Sequence, residues 1–298
     1  VLEGTRLKAA TAAACRLRGK GGYGLALGLV GALAPQACSA AGSDPASLES
    51  MIIRGEAQRT PKSGHPSVLR IADWNIEAGR AAPIAVISAK LAALDADVIT
   101  LQEVDLKTHR TGDIDQPSVL GRALGYNYAC APTIPWDGGY YGIAMLSRYP
   151  FSSIERIRLN NPQASEPRTA LDALVCAATT CLHAVDHHAD DVRLAAELST
   201  SDLLQQVHAE LGTGLALVGD FNQVPSDPGP QACLKAGLID LGAEFGGTAT
   251  FGAERIDYAF ADAVLAPCVQ RVEVEPGAES DHNLLVIDFD MSCLSARH

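Results

Sequence analysis

From Val68 onward the chain alternates short apolar runs with polar punctuation. VLRIADWNI (68–76), ADVITLQEVD (96–105), GIAMLSRYPF (142–151), LDALVCA (171–177), TCLHAV (180–185), GLALVGDF (214–221), RIDYAFA (255–261) and NLLVIDFD (283–290) have the length and composition of strands. PIAVISAKLAAL (83–94) instead carries apolar residues at helical spacing behind Pro83, a residue suited to a first helical turn. Asp190 or Asp191 is placed to cap a second helix running to about Leu211. Runs at 97–101 and 215–218 are apolar enough for strands covered on both faces. Hairpins and strand-helix-strand units occur together, which predicts an α/β sandwich built on mixed sheets. Residues 41–67, rich in Ser, Pro and Gly, read as a linker leading into a domain at 68–298.

Composition adds a constraint. The 298 residues are 47% hydrophobic and 19% charged, enough to bury a sizeable core, and with aromatics at 5% the packing falls to Ala, Leu and Val. The net charge is −12, and residues 1–40 hold five basic residues and one acid, which leaves the remainder near −16. A body that acidic is a poor general polyanion binder, so a phosphate substrate would need metal ions to mask repulsion.

The basic start, the apolar run at about 23–34 and the small residues near Ala40 and Ala41 read as a leader over 1–40, with a buried N-terminal helix as the alternative. The run is shorter than the roughly 20 residues a bilayer requires. Without the leader, six of the eight cysteines remain, and Cys176 and Cys181 flank a predicted hairpin. A disulfide closing that hairpin fits an oxidising compartment, and two buried thiols are the alternative. Together these features predict an exported protein, periplasmic or secreted.

Five polar clusters abut apolar runs: Asn75-Ile76-Glu77, Gln102-Glu103, Asp220-Phe221-Asn222, Ile256-Asp257-Tyr258 and Ser280-Asp281-His282. Strand ends often carry Asp or Asn for turn chemistry, so each alone is weak. Taken together, their carboxylate and carboxamide oxygens suit a hard cation, Mg²⁺ first, with Mn²⁺ or Ca²⁺ also compatible.

WNI, DVITLQEVD, GIAMLSRYP, EPRTAL, LHAVDHH, GDFN, RIDY and SDH occur in an order that resembles the endonuclease/exonuclease/phosphatase superfamily, the deoxyribonuclease I-like phosphoesterases, over about residues 68–290. The resemblance implies a four-layer α-β-β-α sandwich and metal-dependent hydrolysis of phosphoesters. It implies Glu103 as main metal ligand with Glu77 and Asp281 assisting, and Asn75 and Asn222 as amides that orient phosphate and hold Asp220. Asp220 would position or deprotonate the attacking water, or protonate the leaving oxygen. His282, oriented by Asp257, would contact the scissile phosphate. His183 would be a second catalytic histidine partnered by Glu166, while Arg168 would either hold a phosphate or pair with Glu166.

The usual Thr-His-Leu reads here as Leu182-His183-Ala184, which leaves His187 as an alternative to His183. Gly142-Ile143-Ala144 replaces an expected Gly-Asn-Ala, so that position offers no amide. His183 and His187 lack the Glu of a zinc HExxH helix. Asp190 and His188 read as solvated surface groups, and Trp74 as core. The resulting expectation is an exported nuclease acting on nucleic acid as a monomer, without an obligate protein partner. A phospholipid or sphingomyelin phosphodiesterase is the second reading, with the loop around Trp136, Tyr140 and Tyr141 as its membrane contact. A non-catalytic binding protein on the same fold is the third.

Overall fold

The computed structural model describes residues 48–57, 67–161 and 166–297, so the leader expected over 1–40 lies outside the described residues. The first sheet contains β1 (Ile53–Gly55), β2 (Val68–Asn75), β3 (Val98–Thr108), β4 (Ile114–Asp115), β5 (Asn127–Trp136), β6 (Gly139–Ser147), β13 (Val269–Glu275) and β14 (Leu284–Asp290). Its order is β1-β5-β6-β3-β2-β14-β13, with β4 beside β3. The second contains β7 (Phe151–Arg158), β8 (Thr169–Ala177), β9 (Thr180–His188), β10 (Leu215–Asp220), β11 (Ile239–Asp240) and β12 (Asp257–Ala261), in the order β11-β12-β10-β9-β8-β7. Both sheets are mixed: β2 runs parallel to β3 and β9 to β10, while the other pairings are antiparallel.

Helices α1 (Ile84–Leu94) and α2 (Gln116–Leu124) cover the outer face of the first sheet, where Ile87, Leu91 and Leu120 pack with Trp74, Ile99 and Leu101. Helices α3 (Arg193–Gln206) and α4 (Pro228–Lys235) cover the second, with Leu203 and Cys233 against Val185, Leu217, Phe221 and Tyr258. Between the sheets Ile71, Ile143, Leu171, Ala184, Val218 and Ile287 form a third core. This is the expected α-β-β-α sandwich. Two short helices, α5 (Leu241–Glu244) and α6 (Met291–Ser295), follow β11 and β14.

Two local readings change. Within the stretch that reads as linker, Ile53–Gly55 adds an edge strand to β5. Arg156 holds the preceding turn by donating to the carbonyls of Leu48, Met51 and Pro132. GIAMLSRYPF is not one strand: β6 ends at Ser147 in the first sheet and β7 begins at Phe151 in the second, so the chain changes layers through Arg148-Tyr149-Pro150. The Cys176–Cys181 disulfide closes the β8–β9 hairpin as expected, and a second, Cys268–Cys293, ties the turn just before β13 to α6. Cys130 and Cys233 are buried thiols.

A polar bridge crosses the core between the sheets. Gln102 on β3 donates through Nε2 to Asp73 Oδ1 on β2 (2.8 Å) and to Asp186 Oδ1 on β9 (2.7 Å), and Thr100 Oγ1 also donates to Asp73 Oδ1 (2.6 Å). Asp73 Oδ2 and Asp186 Oδ2 have no protein donor. Burial pushes Asp73 up to about 8, and burial together with Asp73 pushes Asp186 well above its ordinary value. Asp73 is therefore protonated in the folded protein but ionised in the unfolded chain between pH 4 and 8, so folding takes up a proton and stability falls as pH rises through that window. Asp73→Asn keeps the shape and removes the proton uptake. Urea unfolding from pH 5 to 7 should then show a slope flatter than wild type by about 1.4 kcal/mol per pH unit; an unchanged slope would mean that Asp73 is ionised in the fold.

Candidate active site

The parallel pairs set where chemistry collects. Strands β2, β9 and β10 finish at one rim of the sandwich, where the antiparallel strands β8, β12 and β14 begin. The register pairs Asp220 with His188 on one side and Asp257 on the other. Gly219 permits this close approach: its φ is +138°, and a Cβ there would lie 1.9 Å from the His187 carbonyl oxygen. Glu103 sits at an irregularity of β3 with φ +56°, while Glu77 and Asn222 have φ +47° and +50°. Three of the sequence-predicted residues thus hold the left-handed backbone that non-glycine residues rarely adopt, the kind of strain that concentrates at functional sites.

Asn75 joins the two sheets. Its Nδ2 donates to Glu103 Oε1 (3.1 Å) and to Asp220 Oδ2 (3.0 Å), while its Oδ1 accepts from the Glu77 backbone (3.0 Å). Asp220 Oδ1 accepts from the Asn222 backbone (2.8 Å), and the Asn222 side chain donates to the Ala189 carbonyl (3.1 Å). Asn222 therefore holds Asp220 through its main chain rather than through its amide. Two imidazoles flank the carboxylate, with His282 Nε2 and His188 Nε2 each 3.7 Å from Asp220 Oδ2.

The two imidazoles carry different charge. Burial opposes an imidazolium at His282, but the hydrogen bond and charge of Asp257, 3.0 Å from Nδ1, and the charge of Asp220 outweigh it and raise the group to about 9. His282 is a cation at neutral pH. His188 is held well below its ordinary value by burial, by the Arg168 charge and by His187 and His282. Arg168 donates to His188 Nδ1 (3.2 Å), which leaves the ring proton on Nε2, toward Asp220. Burial and Asp257 raise Asp220 to about 7 against His282 and the Asn222 and Asn75 hydrogen bonds.

The structure does not bring the second histidine of the sequence reading to the rim. Even-numbered residues of β9 face the other sheet, as Asp186 does toward Gln102, and odd-numbered ones face the helices. His183 lies at the far end of β9, hydrogen-bonded to Asp172 (2.9 Å). His187 points away from the rim to Thr200 (3.1 Å) and packs on Phe221. Four strand residues, about 13 Å, separate these two, so they do not share an ion. His188, which the sequence reads as surface, is the buried residue at the rim. The two-residue period from Ala184 through Asp186 puts His188 on the inter-sheet face, and its pairing beside β10 brings that end of β9 to Asp220.

Glu166 reaches the site through Arg168, to which it pairs at 2.6 Å, so the ion-pair alternative for Arg168 holds and the same guanidinium supports His188. Asp190 is fully buried near Arg168 and not a solvated cap. Two further residues join the site. Tyr141, which the sequence places in a membrane-contact loop, is instead buried, under the charges of Glu103 and Arg168. Phe251 lies on the His282 ring with centroids 4.8 Å apart. Trp74, buried as expected, also donates to the His282 carbonyl (2.9 Å), and Ser280 Oγ donates to the Asn75 carbonyl (2.7 Å).

Two places could attract a cation. Asp220, Asp257 and His282 offer ligand atoms within 4.8 Å of one another, but the imidazolium already lies between the two carboxylates. The Glu103 side is less compensated. Burial, Asp281 and Glu103 together raise Glu77 against the opposing charges of Arg80 (3.1 Å) and His282. Carboxylates that repel one another and offer hard oxygen donors fit Mg²⁺, Mn²⁺ or Ca²⁺.

The layers, the parallel strand pairs and this rim define a deoxyribonuclease I-like sandwich. Among solved structures, an endonuclease/exonuclease/phosphatase from Beutenbergia cavernae is similar at 22% identity, with 76% of this chain and 72% of that chain covered (TM-score 0.60). A functionally unknown conserved protein from Enterococcus faecalis is similar at 18% identity, with 74% and 98% covered (TM-score 0.62). The 3′ phosphatase NExo from Neisseria, bound to product DNA hairpin, is similar at 17% identity, with 74% and 99% covered (TM-score 0.56). No curated protein sequence matches the chain. The profile of the Endonuclease/Exonuclease/phosphatase family matches residues 74–282, and the chain belongs to that family. Its members are hydrolases of phosphoester bonds and generally use a divalent metal.

If His188 serves the rim, His188→Ala should lower phosphoester turnover by about 10²- to 10⁴-fold, while His183→Ala stays within about threefold of wild type. Equal losses in both variants would return His183 to the site.

Proposed function

We propose that the protein is an exported, divalent-metal-dependent phosphodiesterase, with nucleic acid as its substrate class. The observation that carries this reading is the arrangement around Asp220: one carboxylate near its working pKa, held by Asn75 and Asn222 between a cationic and a neutral imidazole. Diester hydrolysis builds negative charge on the phosphoryl oxygens, and the His282 cation, oriented by Asp257, is preorganised to meet it. Asp220, near neutrality, is suited to take a proton from the attacking water. His188 carries its ring proton on the side of Asp220, where it can donate a hydrogen bond to a phosphoryl oxygen. Arg168 and Glu166 fix that ring.

Glu103, with Glu77 and Asp281 alongside, would hold the metal, which supplies Lewis-acid stabilisation of phosphoryl charge. The retention of Asp220, Asp257, His282 and Glu103 in one rim argues against a binding protein without turnover. The DNA product bound by NExo supports the substrate class by likeness alone. Two disulfides support export, since such bonds persist in oxidising compartments.

The test is hydrolysis of bis(p-nitrophenyl) phosphate beside p-nitrophenyl phosphate, with Mg²⁺, Mn²⁺ or EDTA. The diester should be preferred, EDTA should abolish turnover, and Glu103→Ala and Asp220→Asn should each lose about 10³-fold with melting temperatures near wild type. Wild-type rates in Asp220→Asn, or full activity in EDTA, would sink the reading.

A further inference from the structure

Of the two tryptophans, Trp74 is buried and Trp136 is 48% exposed. Trp136 closes β5 opposite Gly139, and Ile134 pairs with Tyr141, so Trp136 and Tyr141 lie on the same face of the β5–β6 hairpin. The Arg110 guanidinium lies 5.7 Å from the centroid of each ring. It is held there by Asp105, which accepts from Nε and Nη2 at 2.7 Å each. The hairpin tip is tied to the same turn: the Arg110 backbone donates to Asp137 Oδ2 (2.6 Å), and the His109 backbone to the Asp137 carbonyl (2.8 Å). Tyr141 continues the line inward to Arg168 and Glu103. A fixed series therefore runs from the catalytic rim through Tyr141 and Arg110 to an exposed indole, about 7 Å beyond Tyr141 along the hairpin.

We propose that Trp136, backed by Arg110, is a stacking platform for an unpaired nucleobase next to the phosphodiester being cleaved. An indole with a clamped guanidinium near it and nearly half its surface in solvent can accept a planar ring with little loss of side-chain freedom. Stacking needs a base free of its duplex neighbours, and a chain of net charge −12 supplies no field for a long duplex. The tip also disfavours a lipid surface. Trp136 is followed by Asp137, and the adjoining turn carries Asp113 paired to His109, whereas an interfacial contact combines apolar and basic residues. The substrate is thereby narrowed to single-stranded or frayed nucleic acid. This rests on the phosphodiesterase reading.

Steady-state hydrolysis of a short oligothymidylate and of an abasic oligomer of equal length, with Mg²⁺, reads both. Trp136→Ala should raise KM for the thymidylate by about tenfold or more with kcat little changed, Trp136→Phe should restore most of it, and neither should affect the abasic oligomer. In the full-length wild-type chain, the thymidylate should also quench tryptophan fluorescence saturably, since Trp74 is buried. Hydrolysis with Trp136→Ala indistinguishable from wild type on both oligomers would overturn the platform and leave the phosphodiesterase reading standing. Saturable quenching without hydrolysis would keep the platform and remove that reading. Neither quenching nor hydrolysis would remove both. A blue shift with phosphatidylcholine vesicles but not with thymidylate would overturn the platform in favour of a lipid contact.

Discussion

One amide nitrogen does much to decide the geometry of this protein. Asn75 Nδ2 is shared between Glu103 on the first sheet and Asp220 on the second. Each sheet fixes its own strands through its ladder, but nothing in a ladder sets how two stacked sheets meet at their edge. The apolar core between them is non-directional, so it supplies cohesion without orientation. Directional bonds supply the rest: Asn75 at the rim, and one layer below it Gln102, which reaches Asp73 and Asp186 from the same strand that carries Glu103.

The charge distribution follows from burial. Among the described residues no ion pair reaches Asp73 or Asp186, and burial raises both, Asp73 to about 8. Toward the rim, Asp257 and Asp220 meet His282, and the balance moves to an ion pair. The neighbouring His188 is equally buried but faces Arg168, so it stays neutral. Two histidines flanking one carboxylate thus differ in charge because one faces an aspartate and the other an arginine. That difference gives the rim both a fixed positive charge and a neutral hydrogen-bond donor.

The left-handed backbone at Glu77, Glu103 and Asn222 belongs to the same economy of space. A regular strand sends successive side chains to opposite faces. The irregularity in β3 interrupts that alternation, so Gln102 points into the inter-sheet bridge while its neighbour Glu103 turns to the rim and accepts from Asn75.

Much of this is legible in the sequence. Apolar runs ending at GDFN, LQE and WNI marked strands that carry polar groups at one end, and their order identified the family and its sandwich. The hairpin disulfide was readable because Cys176 and Cys181 are five residues apart; Cys268–Cys293, across a strand and a helix, was not. GIAMLSRYPF looked like one strand because local composition carries no trace of a change of layer. His183 looked like the second histidine because the local motif was matched in sequence, whereas the face a strand residue takes is set by pairing and burial at both ends of β9. Local chemistry, the residue types and their period, is written along the chain and determined the fold class and most of the cluster. Which histidine reaches Asp220, which acids keep their protons and what backs Trp136 depend on through-space neighbours from distant segments, and only the packed structure decided them.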